Sequence, residues 1–225
     1  MFSYPPTSTK PMKRMLLLFS ALLGTLTTLT AKKVELTIDG TVSPGQTTLY
    51  LIINEDIEHA RLLPINDGRF SVTVTVDANA FVRLHDYKEW PERSSYVLIP
   101  DSRHITLDLR RGTITGSPWS TRLQEAIRKI RNASPEGFHI DVFSDDRDAW
   151  ARAREAERDM RAKMEAEQIE IIAKVMSENK NNNIPAWIAY CYPQFFDREL
   201  SSFLNTKAKW RKHPILNKRE AKERP

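Results

Sequence analysis

Period-two alternation governs the chain from Val34 to Thr115. Val34, Leu36 and Ile38 alternate with charged or hydroxyl residues, and Phe70, Val72, Val74 and Val76 alternate with Ser71, Thr73 and Thr75. Such spacing predicts half-buried strands, because successive side chains of a strand face opposite sides. Pro44-Gly45 supplies turn chemistry before the apolar run Leu49 to Ile53. Asp67-Gly68 separates Leu62 to Ile65 from Arg69 to Val76 and predicts a tight hairpin. Further short strands are expected at Ala80 to Leu84, Tyr96 to Ile99, Ile105 to Leu109 and Thr113 to Thr115. Seven or eight short strands at this spacing predict an antiparallel sandwich or barrel.

At Gly116-Ser117-Pro118 the period lengthens to about 3.6, the repeat of an α-helix. Ser117 suits a helix cap and Pro118 the first helical position, while Leu123, Ile127 and Ile130 share one stripe. Residues 132–144 read as a loop. Asp145, Asp146 and Asp148 stand where carboxylates favour a helix start. A long helix is expected from Arg147 to Asn179, with Trp150, Ala153, Met160, Met164, Ile171 and Val175 as its apolar stripe. Asn183-Ile184-Pro185 opens another helix, carrying Trp187, Ile188, Tyr190 and Cys191 as far as Pro193, and a last amphipathic piece covers Arg198 to Leu204. The fold class expected is therefore α+β, with the strands first and the helices after.

Before the first strand, Lys13 and Arg14 precede an uncharged, mostly apolar run from Leu16 to Thr30 that closes on Ala31. Positive residues, an apolar core and small residues, in that order, are the pattern of an export signal. Residues 1–31 are accordingly expected to be a signal peptide, with Met12 as the true start. The threonines at 25, 27, 28 and 30 make the run a poor membrane span, leaving an uncleaved anchor as the lesser reading. No cysteine follows the run, so a lipoprotein anchor has no attachment point. The expectation is a soluble periplasmic or envelope protein with a β domain over 32–116, a helical segment over 117–206 and a basic tail over 207–225.

Removing the leader takes Lys10, Lys13 and Arg14 with it, and the balance of 34 basic against 29 acidic residues falls to 31 against 29, or +2. Eight of the remaining basic residues lie from Lys207 onward, against Glu220 and Glu223. The sequence pI of about 9.3 therefore reflects a leader and a tail, not a basic folded face, which argues against nucleic acid as a partner. The tail reads first as solvated, with contact to an anionic lipid or other acidic envelope surface as the alternative.

Gly40-Thr41-Val42, Asp67-Gly68-Arg69-Phe70-Ser71, Val97-Leu98-Ile99-Pro100, Ile105-Thr106-Leu107 and Ile114-Thr115-Gly116-Ser117-Pro118 together resemble a known family. It is the domain of unknown function that forms the N-terminal half of many bacterial envelope thioredoxin-like thiol-disulfide oxidoreductases. The similarity continues through the long polar helix and Ser177 to Trp187, covering most of residues 34–216. The resemblance implies a following thioredoxin-like domain with a Cys-x-x-Cys site, whereas this sequence stops at Pro225 and holds one cysteine, Cys191. Dithiol exchange needs two sulfurs, so redox catalysis by this chain alone is not expected. Flanked by Tyr190 and Tyr192, Cys191 reads as a small buried hydrophobe.

The remaining candidates are weak. Asp141, Asp145, Asp146 and Asp148 do not have calcium-loop spacing and read as helix capping. The histidines at 59, 85, 104, 139 and 213 are too scattered in sequence for a metal motif. No phosphate loop, nucleophile elbow or dinucleotide fingerprint is present. Asn132-Ala133-Ser134 matches a glycosylation acceptor, coincidentally in a bacterial-looking chain. Residues 85–93 form a polar, aromatic connection between strands, where His85, Asp86, Tyr87, Trp90 and Arg93 offer a recognition loop. The bland alternative there is an exposed link with one anchoring tryptophan.

No catalytic residue, cofactor or metal is therefore expected. The favoured function is a non-catalytic envelope module that binds or positions a partner protein, a peptide or a glycan. An accessory subunit of a thioredoxin-like oxidoreductase on another chain is the alternative, and a hydrolase built on the His85 to Arg93 loop stands third.

Overall fold

A computed structural model describes residues 32–86, 95–141, 146–198 and 208–217. The leader, Tyr87, Trp90, Arg93, Asp145 and most of the predicted Arg198 to Leu204 piece lie outside these residues. Strands precede helices, as the periodicity predicts: β1 (Lys33–Thr41), β2 (Tyr50–Ile53), β3 (Arg61–Leu62), β4 (Arg69–Asp77), β5 (Val82–His85), β6 (Tyr96–Leu98), β7 (His104–Asp108) and β8 (Thr113–Thr115). The helices α1 (Pro118–Asn132), α2 (Arg147–Glu178), α3 (Ile184–Cys191) and α4 (Gln194–Arg198) follow, with a 3₁₀ turn at Lys209–Lys212. The described strands and helices fall within one compact unit that begins at Lys33.

The strands make two four-stranded sheets, β4-β1-β7-β8 and β3-β2-β5-β6, and no ladder among the described residues closes them into a barrel. The first sheet departs from the antiparallel expectation, because β1 pairs parallel with β7, Thr37 opposite His104 through Thr41 opposite Asp108. Leu36, Ile38, Phe70, Val72 and Ile105 of the first sheet share one core with Leu51, Val82, Leu84 and Leu98 of the second. In β1 Leu36 and Ile38 face the core, and Gly40 is the next buried position on the same face. Gly40 pairs with Phe70 in register, and a Cβ there would lie 2.6 Å from both the Phe70 ring and the Leu107 carbonyl oxygen. Only glycine fits under that ring.

Asp67 and Gly68, at φ 51° and 71°, form the two-residue turn that the sequence signals. The hairpin nevertheless closes over a single bridge, Asn66 to Arg69, because Pro64 has no N–H to continue it. Leu63 instead donates to the Leu49 carbonyl at 2.8 Å, and β3 joins β2, so the expected Leu62 to Ile65 strand shrinks to Arg61–Leu62.

The helices cover the outer face of the second sheet. Phe81, Val97 and Ile99 pack with Leu123, Ile130, Ile172, Trp187 and Ile188 in a second core. Ser117 caps α1 by accepting from the Ser120 amide, and Asp101 accepts from the Trp119 amide at 2.9 Å, so the helix start is anchored to the end of β6. Asp146 caps α2 in the same way, accepting from the Asp148 amide at 2.9 Å. Gln168 ties α2 to α1 through a 3.0 Å bond to the Ile130 carbonyl.

Two expectations are corrected here. The predicted stripe of α2 is core-facing only near its C-terminal end: Gln168, Ile172, Val175 and Met176 are buried, whereas Trp150 and Met160 are 42% and 44% exposed. The basic tail is not simply solvated either, since Trp210 and Ile215 are buried in the helical core. His213 beside them bonds through Nε2 to the Asn79 carbonyl oxygen at 2.6 Å, and the Ile215 amide donates to its Nδ1 at 3.2 Å. Apolar residues spaced through a charged segment are enough to dock it.

Candidate functional site

The expected recognition loop does not present His85 to solvent. His85 is the last residue of β5, and its side chain is 2% exposed because the helical layer lies over that face. Its Nδ1 lies 3.3 Å from a carboxylate oxygen of Asp86, which is partly exposed. Tyr87, Trp90 and Arg93 fall outside the described residues.

Two positions back on the same face of β5 is Arg83, 1% exposed. Asn54 and Glu55 place its partner. Both adopt left-handed backbone at φ 51° and 57°, a conformation that costs a non-glycine residue about 1–2 kcal/mol. Asn54 extends the β2–β5 ladder by bonding both backbone groups of Phe81, its amide to the carbonyl at 2.8 Å and its Oδ1 from the amide at 2.9 Å. Glu55 is thereby aimed at Arg83, accepting from Nε at 2.7 Å and Nη2 at 2.9 Å. Burial pushes the Tyr190 phenol up to about 12, and the Glu55 and Cys191 charges add to the effect. The sequence shows no marker for this cluster, because Glu55 sits in a turn and Arg83 in an alternating strand.

The outer face of the first sheet carries an open trough of about 680 Å³. Asp39, Thr41, Arg69, Ser71, Thr106 and Asp108 are among its walls. A hydrogen bond from Ser71 holds the Asp39 carboxyl below its ordinary range, and His104 Nε2, 2.6 Å from Oδ2, reinforces this. Desolvation works against ionisation of Asp108, but the Arg111 and Arg110 amides and the Thr41 hydroxyl outweigh it and keep the carboxyl low. Both groups are thus held as ionised acceptors. Neither has the raised pKa that a general acid requires. The trough can accept hydrogen bonds from a donor-rich ligand.

The third constellation is the stretch 147–167 of α2. Its contacts run to the preceding loop: Arg161 donates to the Pro135 carbonyl at 3.3 Å and to the Phe138 carbonyl, and Glu157 accepts from the Ile140 amide at 3.2 Å. The Ile140 amide, then Arg161, lowers the Glu157 pKa. Among the described residues of this region, Trp150, Met160 and Ile140 are the large exposed apolar side chains. Asp141 pairs with His139 at 3.1 Å and stands apart from the Asp146 cap.

Cys191 corrects a further expectation, because its side chain is exposed at the end of α3, not buried. Among the described residues no helix is long and apolar enough to cross a membrane. No family model, curated protein or solved structure matches the chain.

Proposed function

We propose that this chain is a β-sandwich module with a helical cover that works, without catalysis of its own, in the bacterial cell envelope and binds a partner protein there. The observation that carries the reading is the stretch 147–167 of α2, which leaves Trp150 and Met160 exposed while Glu157 and Arg161 hold the 135–140 loop against it. Large apolar side chains left exposed on a helix are surface that a partner can cover. The leader-like residues before Lys32 and the resemblance to domains that precede envelope thioredoxin-like domains supply the compartment. A photo-crosslinking residue at Ala151 or Ala156, both exposed, tests it in intact cells. The expected result is a discrete envelope adduct, reduced severalfold by Met160→Glu. Absence of any adduct at both positions would refute it.

Exposure of Cys191 favours a second reading, in which the chain is accessory to a thiol-disulfide oxidoreductase carried elsewhere. A dithiol partner stripped of its resolving cysteine should then trap Cys191 as a mixed disulfide. Failure to trap it, with the thiol still open to a small reagent, would eliminate the accessory role.

A further inference from the structure

Residues 208–217 form a short strap around the 3₁₀ turn Lys209–Lys212, at the C-terminal end of the described chain. Their backbone bonds are local, Arg211 to Ala208, His213 to Trp210 and Leu216 to His213, so no sheet ladder depends on the strap. What docks it is apolar burial and one polar side chain. The Trp210 ring lies 6.0 Å from that of Phe196, Ile215 is fully buried, and the His213 imidazole sits 4.9 Å from the Phe81 ring, centroid to centroid. Among the described residues, the hydrogen bond from the strap to the rest of the chain runs from His213 Nε2 to the Asn79 carbonyl oxygen, at 2.6 Å.

Both ring nitrogens of His213 are committed to the neutral form. A carbonyl oxygen only accepts, so Nε2 carries the proton given to Asn79. A backbone amide only donates, so Nδ1 must offer its lone pair to the Ile215 N–H, 3.2 Å away. The imidazolium has no lone pair, and its second N–H would point at that amide hydrogen. With the residue 6% exposed, water cannot take over the contact. Among the described side chains no acid acts on the ring; burial and the Asn79 bond do. Asp77, two positions before Asn79, is paired with Lys33 at 2.8 Å, and α3, packed against the 3₁₀ turn, has Tyr190 and Cys191 as its titratable residues. α4, which meets Trp210 through Phe196, carries Asp197 and Arg198, one charge of each sign. The strap itself holds Lys209, Arg211 and Lys212, so a proton on His213 adds a fourth positive charge to it.

We infer that protonation of His213 releases the strap, so that residues 208–217 are docked at neutral pH and free in mildly acidic surroundings while both sheets stay folded. Release frees Trp210 and Ile215 together with the four positive charges, and bares the face of Phe81 against which the imidazole lies. A released histidine titrates at its ordinary value of about 6.5, whereas burial makes the docked one resist the proton. Docking is therefore undiminished above that pH and weakens about tenfold for each pH unit below it, until the docked ring takes the proton too. The sheets do not share this dependence, because no strand pairing includes the strap.

Hydrogen exchange on the full chain, read by mass spectrometry and corrected for the intrinsic effect of pH, tests this between about pH 7.5 and about pH 5. Protection of peptides over 208–217 should fall about tenfold per pH unit below about 6.5, and protection of β1 and β7 should not. His213→Gln keeps a donor for Asn79 but cannot titrate, so its strap should exchange at the same corrected rate across the range. Because that variant can dock the strap poorly, the premise is read separately in the parent chain from the ring ¹⁵N resonances of His213. At about pH 7.5 these should report the Nε2–H tautomer with an unprotonated Nδ1. Strap protection that does not change with pH, protection lost equally in β1 and β7, an equal pH dependence in His213→Gln, or an Nδ1–H tautomer would each overturn the inference.

Discussion

β4 and β5 both lie in stretches read as strands from sequence, yet the structure treats their polar residues in opposite ways. On β4 Ser71, Thr73 and Thr75 are exposed, because no element among the described residues lies over the outer face of that sheet. On β5 all four residues are buried, because the helices close over the second sheet. Alternation therefore reports which side chains share a face, and not whether the second face is wet. Where it is dry, Arg83 must find Glu55 and His85 must lie within a protein interior. A buried ion pair contributes little net stability, but loss of one partner strands the other's charge.

The sharpest break in that contrast is Arg83→Ala. It should cost about 3–5 kcal/mol in urea unfolding, since Glu55 is left charged and buried. The double change Arg83→Met/Glu55→Leu should recover most of the loss. Equal losses for the single and double variants would mean that the pair is not what makes β5 costly to alter.

Gly40→Ala probes the core between the sheets, where a methyl group would meet the Phe70 ring and the Leu107 carbonyl oxygen at 2.6 Å. A loss of about 1–3 kcal/mol is expected for an overpacked site. An unchanged melting temperature would show that Phe70 simply moves aside.

His213 reports on the helical cover through pH. Burial holds its imidazole below the ordinary value, with the Asn79 hydrogen bond acting weakly the other way. The unfolded chain therefore takes up the proton first as pH falls. Its contribution should be complete above about pH 6.5, the usual histidine value, and drain away below it. His213→Gln should flatten that part of a melting-temperature profile. A parent profile already flat between neutral and mildly acidic pH would remove His213 as its cause.

Smallest of all should be Thr37→Val on the solvated face, where a hydroxyl contact of 3.0 Å to Thr73 is exposed. A change within about 0.5 kcal/mol is expected. A loss approaching that of Arg83→Ala would show that the outer face of the first sheet is covered after all.

Local chemistry made most of the element list legible. Ser117-Pro118, Asp67-Gly68 and Asp146 carry their turn and cap roles in their own side chains and backbone. Long-range facts were hidden. Nothing local tells β1 to lie parallel to β7, or tells the helices to cover one sheet and leave the other open. The candidate site suffered most for that reason. His85 reads as a loop residue because polar residues between strands usually are, and the missing fact was the layer above it. Trp210 and Ile215 stand among lysines and arginines that read as a solvated tail, although apolar residues spaced through a basic run are the local sign of docking. The exposed half of α2 has the same apolar spacing as its buried end, and only the extent of the neighbouring helices decides between them.

The place of β1 also bears on how the chain reaches its fold. It is the first strand in order, yet its two neighbours come from well downstream, and Thr41 must find Asp108 across 67 positions of sequence. Contacts of such separation slow folding, because loop closure is entropically costly before any pairing repays it. Until β7 arrives, Leu36 and Ile38 have one strand partner at most, and the side of β1 that will receive β7 stays open. Folding rate should therefore be governed by the late parallel pairing and not by the early β1–β4 ribbon, and substitutions in β7 should slow refolding more than substitutions in β4 of equal equilibrium cost.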